Sequence, residues 1–117
     1  MLQLNHKKLE VWQSSVNLVT EIYLITKTFP KEEMFGLTNQ LRRAAISVTS
    51  NIAEGSARKS NIERKRFYEI SRASLVELDS QIEIAIRLGY LNKDQTEKID
   101  LFLNQIFAML SKLISNT

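Results

Sequence analysis

Apolar residues recur along the chain at alternating steps of three and four, broken by short polar stretches, and this rhythm predicts four helices. In the first, about residues 7 to 28, Leu9, Trp12, Val16, Val19 and Tyr23 form the expected core-facing stripe. A second stripe, Val11, Leu18, Ile22, Ile25 and Phe29, continues around the cylinder before Pro30 ends the run. The second helix is expected from about Leu37 to Glu54, with Leu37, Leu41, Ala44, Val48 and Ile52 as its seam and Gly55 as a left-handed stop. At Ser60 a hydroxyl can cap the third helix while Glu63 reaches back, and Phe67, Ile70, Leu75, Leu78, Ile82 and Ala85 are expected to turn inward before Gly89. Asn92 and Gln95 form a second capping pair. Behind them Ile99, Phe102, Ile106, Met109 and Leu113 make the fourth seam, with Leu103, Phe107, Leu110 and Ile114 as another second stripe.

Short connections favour antiparallel neighbours, so the expected fold class is all-α, an up-down-up-down antiparallel four-helix bundle with residues 1–117 as a single domain. The double stripes of the first and fourth helices exceed what one bundle core requires, and self-association is the natural outlet. On this reading Leu18 and Leu110 face a neighbouring subunit.

Composition narrows the chemistry by exclusion. There is no Cys, hence no disulfide, thiolate metal site or thiol nucleophile. The single His6 cannot serve a triad or a zinc site, no Glu has a histidine three residues on, and no Gly-x-x-x-x-Gly-Lys loop cradles a phosphate. No catalytic residue, metal ligand or cofactor site is therefore expected, and the chain does not read as an enzyme. The opening "MLQLNHKKLEVW" lacks a signal peptide's apolar core, and no run approaches the roughly 20 apolar residues of a membrane span. The expected location is cytoplasmic, with no membrane partner.

Charge is uneven. The net value is +3, yet residues 42 to 72 carry eight basic side chains against three acidic, a local +5 that leaves −2 for the rest. Its densest part is Arg58, Lys59, Arg64, Lys65 and Arg66 against Glu63 alone. Such a cluster at a helix start suits a phosphate path of RNA or DNA. With Phe67 claimed by the core, only Tyr68 remains to stack on a base, so contact would be to the backbone and insensitive to sequence. The alternative is a protein-binding scaffold or accessory subunit whose charges only solvate it.

A polar run, "QLRRAAISVTSNIAEG", lies where the second helix should bury its seam. Helical spacing places Gln40, Arg43, Ser47, Ser50, Asn51 and Glu54 on one stripe beside Leu41, Val48 and Ile52. The expected role is a structural polar network in which Arg43, Ser47, Asn51 and Glu54 hold the second helix against the third. Glu77 is the leading partner for Arg43, and Ser74 and Gln81 lie along the same border. An active site would instead need Arg43, Glu54 and Glu77 to converge in an open pocket.

The run "FPKEEMFGLTNQLRRAAISVTSNIAEGSARKS", followed by "RFYEISRASLVELDSQIEIAIRLGYL", strongly resembles the four-helix bundle protein family, also called the 23S ribosomal RNA intervening-sequence protein family. The likeness spans about residues 9 to 114 and centres on Gln40-x-x-Arg43-Ala44-x-x-Ser47 with Asn51-Ile52-Ala53-Glu54-Gly55. Ile70-Ser71-Arg72-Ala73-Ser74 stands where the family pattern reads Ile-Ala-x-Gly-Ser, while the family's glutamate is kept as Glu77. The family is similar to accessory variability proteins of diversity-generating retroelements, which form pentameric rings, bind nucleic acid and contact a reverse transcriptase. The resemblance thus implies a homo-oligomer, a pentamer, with RNA or DNA and a protein such as a reverse transcriptase as partners.

Overall fold

The computed structural model describes residues 1–117 as four long helices: α1 (Glu10–Thr26), α2 (Leu37–Ala57), α3 (Asn61–Arg87) and α4 (Lys93–Asn116). Single 3-10 turns at Asn5–Lys8 and Lys31–Glu33 precede α1 and α2. Each helix packs on the next and α4 returns to α1, with no close backbone approach across either diagonal, which is the up-down-up-down bundle.

The helix ends follow their sequence signals with one exception. Asn92 Oδ1 accepts from the Gln95 N–H (3.0 Å) while Gln95 Oε1 accepts from the Asn92 N–H (2.9 Å), a complete capping box. At Ser60 only one half forms: its Oγ accepts from the Glu63 N–H at 3.4 Å. Gly89, at φ 81°, ends α3 in a Schellman turn, its N–H bonding Ile86 O (3.0 Å) and the Tyr90 N–H bonding Ala85 O (2.9 Å). Gly55 is the exception. It does not stop α2 but lies buried inside it, and a Cβ there would sit 2.7 Å from Tyr68 Cε1. The glycine is required for close approach of α3; α2 stops at Arg58, whose backbone is extended.

The core is rotated from the expected stripes. In α1 the fully buried line is Val11, Ser15, Leu18, Ile22 and Thr26, with Leu9, Trp12 and Val19 flanking it and Tyr23 exposed. In α4 it is Ile99, Leu103, Ile106, Leu110 and Ile114, flanked by Phe102, Met109 and Leu113, while Phe107 is exposed. Apart from Tyr23 and Phe107, both stripes of each helix serve one bundle, because a helix with two neighbours buries an arc wider than one seam. Leu18 and Leu110, both 0% exposed, fill the core of their own subunit rather than facing another.

The start of α3 differs as well. Ile70 is exposed and Phe67 only half-buried, and the inward positions are Tyr68, Ser71 and Ser74. Serines fit because α2 opposite them presents Ala44, Ala45 and Gly55, which bring the two helices close. Ser71 Oγ donates to Val48 O of α2 at 2.7 Å, so the buried hydroxyl is satisfied across the seam.

Candidate nucleic-acid interface

The antiparallel order brings the α2–α3 turn, the N-terminus of α1 and the C-terminus of α4 to one end of the bundle. Four of the five basic residues expected to bind, Arg58, Lys59, Lys65 and Arg66, are exposed there, and Arg64 is half-buried. Arg58 lies over the Phe67 ring (4.8 Å to its centroid) and reaches Glu54 Oε2 only at 3.9 Å. The Arg64 guanidinium donates to Arg58 O and so fixes the turn. The side chains of Lys59, Lys65 and Arg66 are exposed and make no hydrogen bond or ion pair within the chain. The first N–H groups of α3 add their partial positive charge at the same end.

Tertiary proximity enlarges this cluster. The turn Asn5–Lys8 packs against the end of α2, where Leu4, Asn5 and His6 line a small hollow with Ser56 and Ala57. Trp12 holds His6 edge-on at 5.2 Å between ring centroids. Lys7 and Lys8 thereby join the basic end, as does Lys112 near the close of α4, which shares a groove with Leu9 and Glu10. Residues 1–10, 54–66 and 112–117 together hold eight basic side chains against three acidic, a net +5. Spacing within the sequence could not reveal this convergence, since the turn Asn5–Lys8 meets the end of α2 only through the fold.

The other cations of the 42–72 stretch do different work. Arg42 Nε donates to Thr26 Oγ1 (2.9 Å) and its guanidinium covers Tyr23 (4.5 Å), clamping α1 to α2. Arg72 Nη1 donates to Ser111 Oγ (3.1 Å) beside Phe107, tying α3 to α4.

The polar stripe of α2 forms a narrower network than expected. Ser47 Oγ and Ser74 Oγ share a hydrogen bond of 2.9 Å, and Asn51 Nδ2 donates to Ser47 O (2.8 Å) and Ser47 Oγ (3.1 Å). Farther along, Gln81 Nε2 donates to Glu77 Oε1 (3.2 Å) and Gln40 Oε1 (3.4 Å). The Arg43 side chain is exposed, makes no hydrogen bond or ion pair in the chain and does not pair with Glu77; Glu54 pairs with Arg58. The seam is held by hydroxyls and amides, short side chains that suit the close approach of α2 and α3. Arg43 stands exposed, Glu77 bonds Gln81, and Glu54 pairs with Arg58 near the end of α2, so the three side chains do not converge.

The family model of the 23S rRNA-intervening sequence protein matches residues 7–112. The chain belongs to that family. Its fold is also similar to the crystal structure of a protein of unknown function from the S23 ribosomal protein family of Bacteroides thetaiotaomicron VPI-5482, with a TM-score of 0.81. The two are 23% identical over 90% of this chain and 95% of that one, a likeness that establishes the shared bundle. No curated protein matches the chain. No helix of this family member is long and apolar enough to cross a membrane.

Proposed function

We propose that this protein is a non-catalytic, self-associating nucleic-acid-binding protein that grips the phosphate backbone of RNA or DNA with the basic end of its bundle. One observation carries the reading: eight basic side chains meet three acidic ones at that end, and Lys59, Lys65 and Arg66 have no partner in the fold. The cations spread around a helix start rather than along one reading face, which suits a backbone path and not groove readout. The family's resemblance to the pentameric accessory variability proteins supports a closed ring, and a ring would multiply weak single contacts into avidity. An accessory role beside a reverse transcriptase is part of the same expectation.

The test is a titration of labelled RNA and duplex DNA at several salt concentrations, with the Lys65→Glu, Arg66→Glu variant alongside. Affinity should fall steeply with salt in both, with little dependence on sequence. On duplex DNA the variant's log–log slope should be shallower by about 2, since each phosphate contact contributes about −0.9. Absence of binding at low salt by the intact protein would favour the protein-scaffold reading instead.

A further inference from the structure

The basic end carries apolar side chains that a contact with a phosphate backbone leaves unused. Ile62, in the first turn of α3, is 83% exposed, and Leu2 (71%) and Leu4 (43%) are exposed on the segment before α1. Helical side chains lean toward the helix N-terminus, so Ile62 points out of this end together with Lys65 and Arg66, three and four places on. Arg58 and Lys59, both exposed, precede it in the turn.

The segment before α1 is held at the same end. Lys7 Nζ donates to Leu2 O and Gln13 Nε2 donates to Lys7 O (3.0 Å), while Leu4 lines the hollow with Ser56 and Ala57 at the close of α2. Leu2 and Leu4 are thereby brought to the end that carries Ile62. Of the three acids there, Glu54 pairs with Arg58, Glu10 lines a groove with Met109 and Leu113, and Glu63 stands next to Ile62 in the chain.

We propose that this end of the bundle docks on an anionic lipid bilayer, with Ile62, Leu2 and Leu4 entering the headgroup region and the surrounding cations holding lipid phosphates. Near such a surface each cation multiplies binding by about fivefold, and the apolar tips add burial that a nucleic-acid backbone does not offer. No helix is long and apolar enough to cross a membrane, so the contact is peripheral. The lack of an apolar span in the sequence speaks to crossing and not to surface contact. Helix α3, 27 residues at about 1.5 Å each, accounts for the longest of the molecule's 44 × 28 × 20 Å extents, so the bundle stands upright on a footprint of about 28 × 20 Å. The lipid surface shares its cations with the nucleic-acid reading, but the apolar tips belong to it alone.

Co-sedimentation of the full chain with vesicles of mixed phosphatidylglycerol and phosphatidylcholine, at low salt, reads the binding, and RNA anisotropy is measured on the same proteins. The parent should bind the mixed vesicles and not vesicles of phosphatidylcholine alone. Leu2→Ser with Ile62→Ser should weaken vesicle binding by about tenfold or more and leave RNA affinity within about twofold. Helix content should be unchanged, since both side chains are exposed. Lys65→Glu with Arg66→Glu should lose both activities. If the serine pair binds vesicles as the parent does, or the parent binds no mixed vesicles or binds neutral ones equally, the lipid assignment is overturned while the nucleic-acid reading stands on its own titration. A serine pair that loses RNA to the same extent as vesicles also overturns it, because Leu2 and Ile62 would then belong to the nucleic-acid surface. Vesicle binding by a parent that binds no RNA supports the lipid surface and overturns the backbone reading.

Discussion

The two ends of the bundle use charge differently. At the α1–α2 and α3–α4 connections, residues 21–37 and 83–98 carry five basic and six acidic side chains, and key members are tied into the fold. Glu33 accepts from the Leu37 N–H (3.1 Å) and from the Tyr90 hydroxyl (2.8 Å), while Tyr90 packs on Phe29 at 5.4 Å. That carboxylate starts α2 and joins the two connections. At the opposite end, Lys59, Lys65 and Arg66 are not needed to close any turn. A charge that the fold does not use is available to a ligand, and the net +5 gathers at the end where most of it is idle.

The largest effect that would break this contrast is on binding. Lys65→Glu with Arg66→Glu, at the basic end, should weaken RNA binding about 100-fold at moderate salt, counting about tenfold per lost contact. Lys31→Glu with Lys93→Glu makes the same change in net charge at the other end and should cost less than about threefold. Equal losses from both pairs, measured by fluorescence anisotropy, would mean that only overall charge matters and that neither end is a site.

A glycine at each end sharpens the contrast on stability. Gly55 is needed for space, so Gly55→Leu should destabilise by roughly 1–3 kcal/mol through overpacking against Tyr68. Gly89 is needed for its φ of 81°, and a Cβ there meets nothing within 4 Å. Gly89→Ala should therefore cost only about 1 kcal/mol of left-handed strain, and Gly89→Asn less, because Asn tolerates that region. Urea melts of the three variants check the order. A Gly55→Leu protein as stable as the parent would show that α3 can withdraw from α2 without cost.

The helices, their caps and the Gly89 turn were legible in the sequence because each depends on residues within about one turn of the chain. The core stripe was displaced because periodicity reports the width of an apolar arc, and its centre is fixed by where the two neighbours lie. Ser71 and Ser74 were unreadable as core for a related reason. A serine is buried only where a partner such as Val48 O or Ser47 Oγ is brought to it by another helix. The same holds for the candidate site: Arg58 to Arg66 stands out in the chain, but Lys7, Lys8 and Lys112 join it only through packing. Arg43 misled because its position beside the seam looks identical whether its guanidinium turns toward α3 or toward water, as it does.

The smallest effect concerns the strap at the end away from the basic cluster. Hydrogen bonds from the Leu37 N–H and then the Tyr90 hydroxyl stabilise the ionised Glu33 and hold it below its ordinary 4.5. A depressed carboxyl contributes stability that is complete above the ordinary value and is lost as pH falls through the folded one. Tyr90 shifts the other way: bonding to Glu33, then desolvation, raises it above 10.0, so its contribution is complete below that value and is lost as pH rises through the raised one. One hydrogen bond therefore supports the fold across the neutral range and weakens at both extremes. Glu33→Gln keeps a side chain of the same length and removes the charge. Its melting temperature should lie slightly below the parent's at pH 7, and the gap should close as pH is lowered from 5 to 3. A gap that stays constant over that range would mean that the strap holds by shape, and that this end of the bundle does not depend on its charge either.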